Sequence, residues 1–431
     1  MEAYVFDWLN LLVRWLHLIA GVAWIGASFY FVMLDNSLSP PKRAGDSERG
    51  VFGEIWAVHG GGFYVSQKFP LGPRGEPLST NLHWSKWEAY TTWLSGMGLL
   101  AIVYWHGANS YLIDRNVMPL SQAAAIGISI GSIVAGWFVY DGLCRALTGG
   151  AHAGNEAGNQ AGNQAGNQAG AQVASDAANH ANNRDGLLAA LLFAFIVLCA
   201  WGLSQVFGAR AAYLHVGAIM GTMMAANVFV HIIPGQKRVI AAIRAGQAPD
   251  PTPGIIGKQR SVHNTYFTLP VLFTMISNHY PMTYSHPYGW VVLVLIMMAG
   301  VLIRQFFVMR HRGQQRAWMP VVAVAMIAAV VVWLMPASAK NDGARADYAA
   351  LRPILDRRCT GCHAARPTHE GFAQPPKGVM LETADQVAQH AAKVAETVGN
   401  RYMPIGNLTQ MTDDERAVVA RWFAAGARTS N

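Results

Sequence analysis

Near its carboxyl end the sequence runs RRCTGCHAA, residues 357–365. Cys359 and Cys362 stand one helical turn apart and His363 follows directly, the spacing at which two thiols can bond a haem covalently while the adjacent imidazole takes the iron. A zinc half-site would need a second Cys or His pair at zinc spacing, which the chain lacks. The other iron ligand is expected downstream, where RYMPIGN offers Met403 ahead of a stiffening proline; Met380 and Met411 compete, but suit core or loop positions better. Thioether ligation raises a haem's potential, so the predicted site, with His363 and Met403 as metal ligands, accepts electrons.

Two further sets of residues could do chemistry. His17 in RWLHLIAGVAWIGASFYF, His215 in AAYLHVGAIMGTMM and His279 in MISNHYP lie in or at the end of apolar runs, where histidine is costly and a functional suspect. Paired imidazoles from separate helices could hold a haem b; a hydrogen bond between helices is the alternative for each. The other set comprises His59, Lys68, His83, Trp84, Lys86 and Glu88 from one long loop, with His231, Arg260, His263, Asn264 and Tyr266 further on. Cations, amides and aromatic faces in this mixture suit a flat, polar, anionic heterocycle. The alternative makes Lys68, Lys86 and Arg260 topology determinants and Trp84 and Trp87 interface anchors.

The elements that must position these residues follow from composition. Of 431 residues 52% are hydrophobic and 13% charged, far from the roughly 25% charged of a soluble chain. Apolar runs of spanning length occur at roughly 8–34, 88–106, 120–143, 186–206, 210–233, 262–281, 288–309 and 318–337. Lys and Arg crowd alternate loops, leaving only Arg115 and Arg210 in the others, which predicts both termini outside. Attachment of haem c on the outer, periplasmic side demands the same topology. The net charge of +8 is thus a matter of topology, and nucleic acid is excluded as a partner. Glu2 and Asp7 precede the first run where a signal peptide would be basic, so that run is expected to be a retained helix. Cys144 and Cys199 are expected as small buried hydrophobes.

The predicted fold class is all-α: residues 1–337 form an eight-helix transmembrane bundle, and 338–431 a small class I-like cytochrome c domain. An AGNQ repeat at about 151–183 is expected as a disordered loop. The loop 35–87 is too long and too aromatic for an idle connection. In the tail, Thr412 and Glu415 form a capping box, and Gly426 stops the last helix.

At HLIAGVAWIGASFYF, LHWSKWEAYTTWLSG, HNTYFTLPVLFTMISNHYP and CTGCH the chain resembles the bacterial membrane-bound urate hydroxylases, eight-helix proteins fused to a cytochrome c. The resemblance implies oxidation of urate to 5-hydroxyisourate in purine breakdown, in the inner membrane. Electrons would pass through Cys359, Cys362, His363 and Met403 to a downstream cytochrome or terminal oxidase, without peroxide. The first helix is also similar to that of bacterial haem-dependent protoporphyrinogen oxidases, which favours His17 as a haem ligand. His263 and His83 are the expected bases, with Lys68 and Asn264 completing the expected catalytic set. Two other functions stay open: a quinol or small-molecule dehydrogenase with the same exit, and a non-enzymatic membrane-anchored electron carrier.

Overall fold

A computed structural model describes residues 2–164, 168–311, 313–335, 347–369, 372 and 374–429. The chain is mostly helical. Helix α1 (Glu2–Asn36) is followed by a hairpin of β1 (Gly53–His59) and β2 (Gly62–Lys68), then α2 (Trp87–Leu99), which continues as a π segment, Leu100–Trp105. After α3 (Ala108–Tyr111) come α4 (Gln122–Gln164), α5 (Gln168–Ser204) and α6 (Ala209–Ala226). A second π segment, Asn227–Ile232, joins α6 to α7 (Ile233–Arg244), making one continuous rod. Then follow α8 (Thr252–Ser277), α9 (Pro281–Tyr284), α10 (Gly289–His311) and α11 (Trp318–Trp333).

Five helical stretches among the described residues are long and apolar enough to cross a membrane: Tyr4–Asn36, Gln122–Leu147, Arg184–Ser204, Ala209–Arg244 and Gly289–Arg310. The other three expected spans are helical but weaker candidates. Helix α11 is only 16 residues long. The α2 rod changes to π geometry after Leu99, and α8 carries Lys258, Arg260, His263 and Asn264. Side chains such as Leu18, Val22, Phe138, Leu198 and Val324 are exposed along these helices, as a lipid-facing surface requires. The core lies between α4, α5, α6 and α8, around Tyr140, Phe207, Ile219, Met220 and Met223. Gly136 lets α4 and α6 close up, since a Cβ there would sit 2.6 Å from Ile219 Cγ2.

One expectation needs correction. The all-α assignment omits the hairpin, whose register pairs His59 with Gly62 across a two-residue turn. That turn needs positive φ twice, and Gly60 (+57°) and Gly61 (+81°) supply it at no steric cost. Part of the AGNQ repeat, expected as a loop, lies outside the described residues, between the end of α4 at Gln164 and the start of α5 at Gln168.

The tail holds α12 (Tyr348–Arg358), α13 (Ala384–Gln389), α14 (Ala391–Gly399) and α15 (Asp413–Ala424). Asp347 caps α12 by accepting from the Ala350 N–H at 2.8 Å. The Thr412–Glu415 capping box forms, and Gly426 takes φ +95° beyond α15. Leu351, Leu355, Val387, Val398, Val419 and Trp422 build a core separate from the bundle's. Burying each leucine stabilises this small unit by about 1.5–3 kcal/mol.

Candidate functional site

Within the apolar bundle, α4, the second π segment and α8 converge on a polar cluster. Tyr140 and Asp141 come from α4, Asn227 and His231 from the π segment, and Arg260, His263 and Asn264 from α8. Tyr140 is the hub. Its hydroxyl accepts from Asn227 Nδ2 at 2.8 Å and hydrogen-bonds with His263 Nδ1 at 2.8 Å. Asn227 Nδ2 also donates to Asn264 Oδ1 at 2.9 Å, and Asn264 Nδ2 donates to the Met224 carbonyl at 3.0 Å. The Tyr140 hydroxyl keeps its proton and a second lone pair beside the Asn227 bond, so it donates to His263 Nδ1 in one imidazole tautomer and accepts from it in the other.

Asp141 organises the cations. It accepts from Arg260 Nη2 at 2.6 Å and Arg145 Nε at 2.6 Å, and hydrogen-bonds with His231 Nε2 at 2.7 Å. One carboxylate against two guanidiniums leaves one positive charge in excess while His231 is neutral. Arg260 is only 2% exposed, and its guanidinium lies 5.0 Å over the Tyr140 ring. Its Nε and Nη1 are buried without a hydrogen-bond partner, and so is Asn227 Oδ1. Each such atom costs about 1–3 kcal/mol unless something answers it. Two donors and one acceptor are thus left without hydrogen-bond partners in the Tyr140 cluster.

The expected catalytic residues divide. His263 and Asn264 lie in this cluster. Lys68, on β2, instead pairs with Asp35 at 2.6 Å, and both side chains are well exposed. His83 is exposed and makes no hydrogen bond among the described residues. Trp84 packs on Ala89, Val228 and Ile233, Lys86 lies over the Trp87 ring at 5.4 Å, and Tyr266 donates to Gln305. Sequence reasoning missed Tyr140, Asp141 and Asn227. The signal was a carboxylate inside the apolar run AGWFVYDGLC, which is as suspect there as a histidine.

The three expected haem b ligands differ in their freedom. His215 is fully buried with both nitrogens engaged, Nε2 with Ser129 Oγ at 2.7 Å and Nδ1 with the Ala211 carbonyl at 2.7 Å. The Ser129 bond ties α6 to α4, the hydrogen-bonded arrangement that is the alternative to haem ligation for this residue. His279 is exposed beyond the end of α8. His17 hydrogen-bonds through Nδ1 with the Thr92 carbonyl at 2.9 Å and Ser95 Oγ at 3.1 Å, leaving Nε2 unengaged. Gly96 makes room for that ring, since a Cβ would lie 3.0 Å from His17 Cε1.

In the tail, Cys359, Cys362 and His363 follow α12 in a single turn closed by the His363 N–H on the Cys359 carbonyl at 2.9 Å. His363 Nδ1 hydrogen-bonds with the Val379 carbonyl at 2.9 Å, which fixes the tautomer and leaves Nε2 for a metal, as iron-ligating histidines require. Cys359 and Met403 pack against the same tail core, while Met411 is 3% exposed inside it. Burial pushes the Cys359 thiol up to about 12 and raises that of Cys362, so both stay protonated at neutral pH. The Met403 carbonyl accepts from Arg416 Nη1 at 2.8 Å, which pins the loop. The same loop meets the bundle: Asn116 Nδ2 donates to the Leu408 carbonyl at 3.3 Å, and Gln410 donates to Asn116. Ile405, Gly406 and Leu408 close one side of a cleft whose other wall carries Tyr111, Asp114 and Arg210.

The family model described as urate oxidase N-terminal matches residues 3–335. The chain belongs to that family. Membership in the urate oxidase N-terminal family supports an oxidoreductase related to urate oxidation. The match takes in the whole Tyr140–Asp141–Asn227–Arg260 cluster and ends before the tail, so Cys359 and His363 lie outside it. Neither a curated protein nor a solved structure matches the chain.

Proposed function

We propose that the protein is an integral-membrane urate hydroxylase that converts urate to 5-hydroxyisourate and sends the electrons out through its tail. The observation that carries this reading is the unanswered pair of Arg260 donors with the unanswered Asn227 acceptor, set around the Tyr140 ring inside the family-matched region. Urate at neutral pH is a planar monoanion with C=O and N–H groups side by side. Arg260 would hold its carbonyl and charge, Asn227 Oδ1 would accept from its N–H, and the Tyr140 ring would border its face.

The reaction balances as the urate monoanion plus water giving neutral 5-hydroxyisourate, one proton and two electrons. His263 Nδ1, taking the Tyr140 hydroxyl proton as that hydroxyl takes one from substrate, provides the base. Asp141 keeps Arg260 oriented through the 2.6 Å bond, and the surrounding apolar core limits water. In the tail, Cys359 and Cys362 would carry a covalent haem c between His363 and Met403, and that group supplies one-electron acceptance at raised potential. His17, with Nε2 unengaged, is the residue best placed to ligate a haem b. The contact of Asn116 with the 408–410 loop would hold the segment that carries Met403 against the bundle. The reading places tail and N-terminus in the periplasm, with a cytochrome or terminal oxidase as acceptor.

Anaerobic optical spectroscopy of the oxidised protein tests it. Urate is expected to reduce the c-type band, with 5-hydroxyisourate appearing at one molecule per two electrons. A c band that dithionite reduces and urate does not would overturn the reading.

A further inference from the structure

A second buried arginine lies on a different face of α8 from the Arg260 cluster. Arg304, on α10 about two turns before its end, is 8% exposed, and its guanidinium sits 4.6 Å over the Phe29 ring of α1. Its Nε and Nη2 are buried without a hydrogen-bond partner. Those two nitrogens form the side-on fork of the guanidinium, two parallel N–H groups spaced for the two oxygens of a carboxylate or phosphate. The neighbouring Tyr266 hydroxyl donates to Gln305. Apolar contacts fill the surroundings. Gly300 brings α10 against α8, with a Cβ there only 3.2 Å from Leu269 Cβ, and α1 beyond Phe29 exposes Tyr30 and Phe31.

We propose that Arg304 is a binding site for the carboxylate or phosphate of an amphiphile, held side-on by Nε and Nη2 with its apolar part along α1 and α10. A buried cation with an unused fork is costly in an apolar bundle, and an anion satisfies both the charge and the two donors. The adjacent Phe29 ring and exposed apolar helix surface favour an amphiphile over a small soluble anion. The inference is independent of the Arg260 reading, because its residues and its test do not involve urate.

Native mass spectrometry of the full chain in neutral detergent tests it, with phosphatidylglycerol as the phosphate probe, oleate as the carboxylate probe and phosphatidylcholine as the zwitterionic control. The wild type is expected to retain one molecule of an anionic probe at least tenfold more tightly than phosphatidylcholine. Arg304→Gln should abolish that preference, and Arg304→Lys, which keeps the charge and loses the fork, should weaken it. Retention of phosphatidylglycerol alone assigns the site to a lipid headgroup, whereas retention of oleate extends it to carboxylates. A wild type without preference for either anionic probe overturns the proposal, and that arm needs no variant to fold. So does an Arg304→Gln protein that binds them equally well.

Discussion

Replacing Arg260 by lysine separates the two tasks this residue performs. Its Nη2 holds Asp141 at 2.6 Å, while Nε and Nη1 have no hydrogen-bond partner. Lysine keeps the positive charge opposite Asp141, which also retains Arg145 at 2.6 Å and His231 at 2.7 Å, so the cluster should survive. A compact ammonium cannot reproduce the directions of Nε and Nη1. A hydrogen bond to a charged partner contributes about 1.5–3 kcal/mol, so loss of one from bound urate should raise its Kd about 10- to 150-fold. Equilibrium dialysis of labelled urate against the anaerobic, detergent-solubilised protein measures this, with thermal unfolding as the control for structure. Wild-type affinity in a folded Arg260→Lys protein would refute the assignment of those donors to substrate.

The tail offers two further tests. Met403→Ala should lower the midpoint potential of a tail haem by removing a thioether ligand, whereas Met411→Ala should leave the potential near its original value and cost about 2–5 kcal/mol of tail stability as a core truncation; a potential shift with Met411 and none with Met403 would reverse the ligand assignment. Burial opposes ionisation of Glu415, but the Thr412 N–H and the Arg358 guanidinium outweigh it and hold the carboxyl below its ordinary range. A depressed folded pKa gives stability that is present above the unfolded value of about 4.3 and is lost as pH falls through the folded one. Tail melting should therefore weaken on acidification below about pH 4, and Glu415→Gln should be less stable at pH 7 with a flatter acid limb; identical acid limbs would remove Glu415 from the account.

Local pattern alone determined much of this protein. Apolar runs placed the helices because spanning length and 3.6-residue periodicity are written in contiguous residues. The CTGCH turn and the Thr412–Glu415 box were legible for the same reason, since each is a contact within four residues. The hairpin at His59–Gly62 was equally local, and its double-glycine turn was there to be seen. The polar cluster was not legible in this way. Tyr140, Asn227 and His263 are brought within 2.8 Å across separations of 87 and 123 residues, and nothing in their neighbours announces it. Lys68 and His83 carried the right chemistry in a loop that folds elsewhere, while Asp141 went unremarked in its apolar run and takes its place only where Arg260 and His231 close on it. The state of each buried histidine was likewise a tertiary matter. His215 and His17 sit in similar apolar runs, yet packing against Ser129 occupies both nitrogens of one, and packing against Thr92 and Ser95 leaves Nε2 of the other unengaged. A residue's type sets what chemistry it can do, but which of its polar atoms remain unsatisfied depends on the helices brought against it.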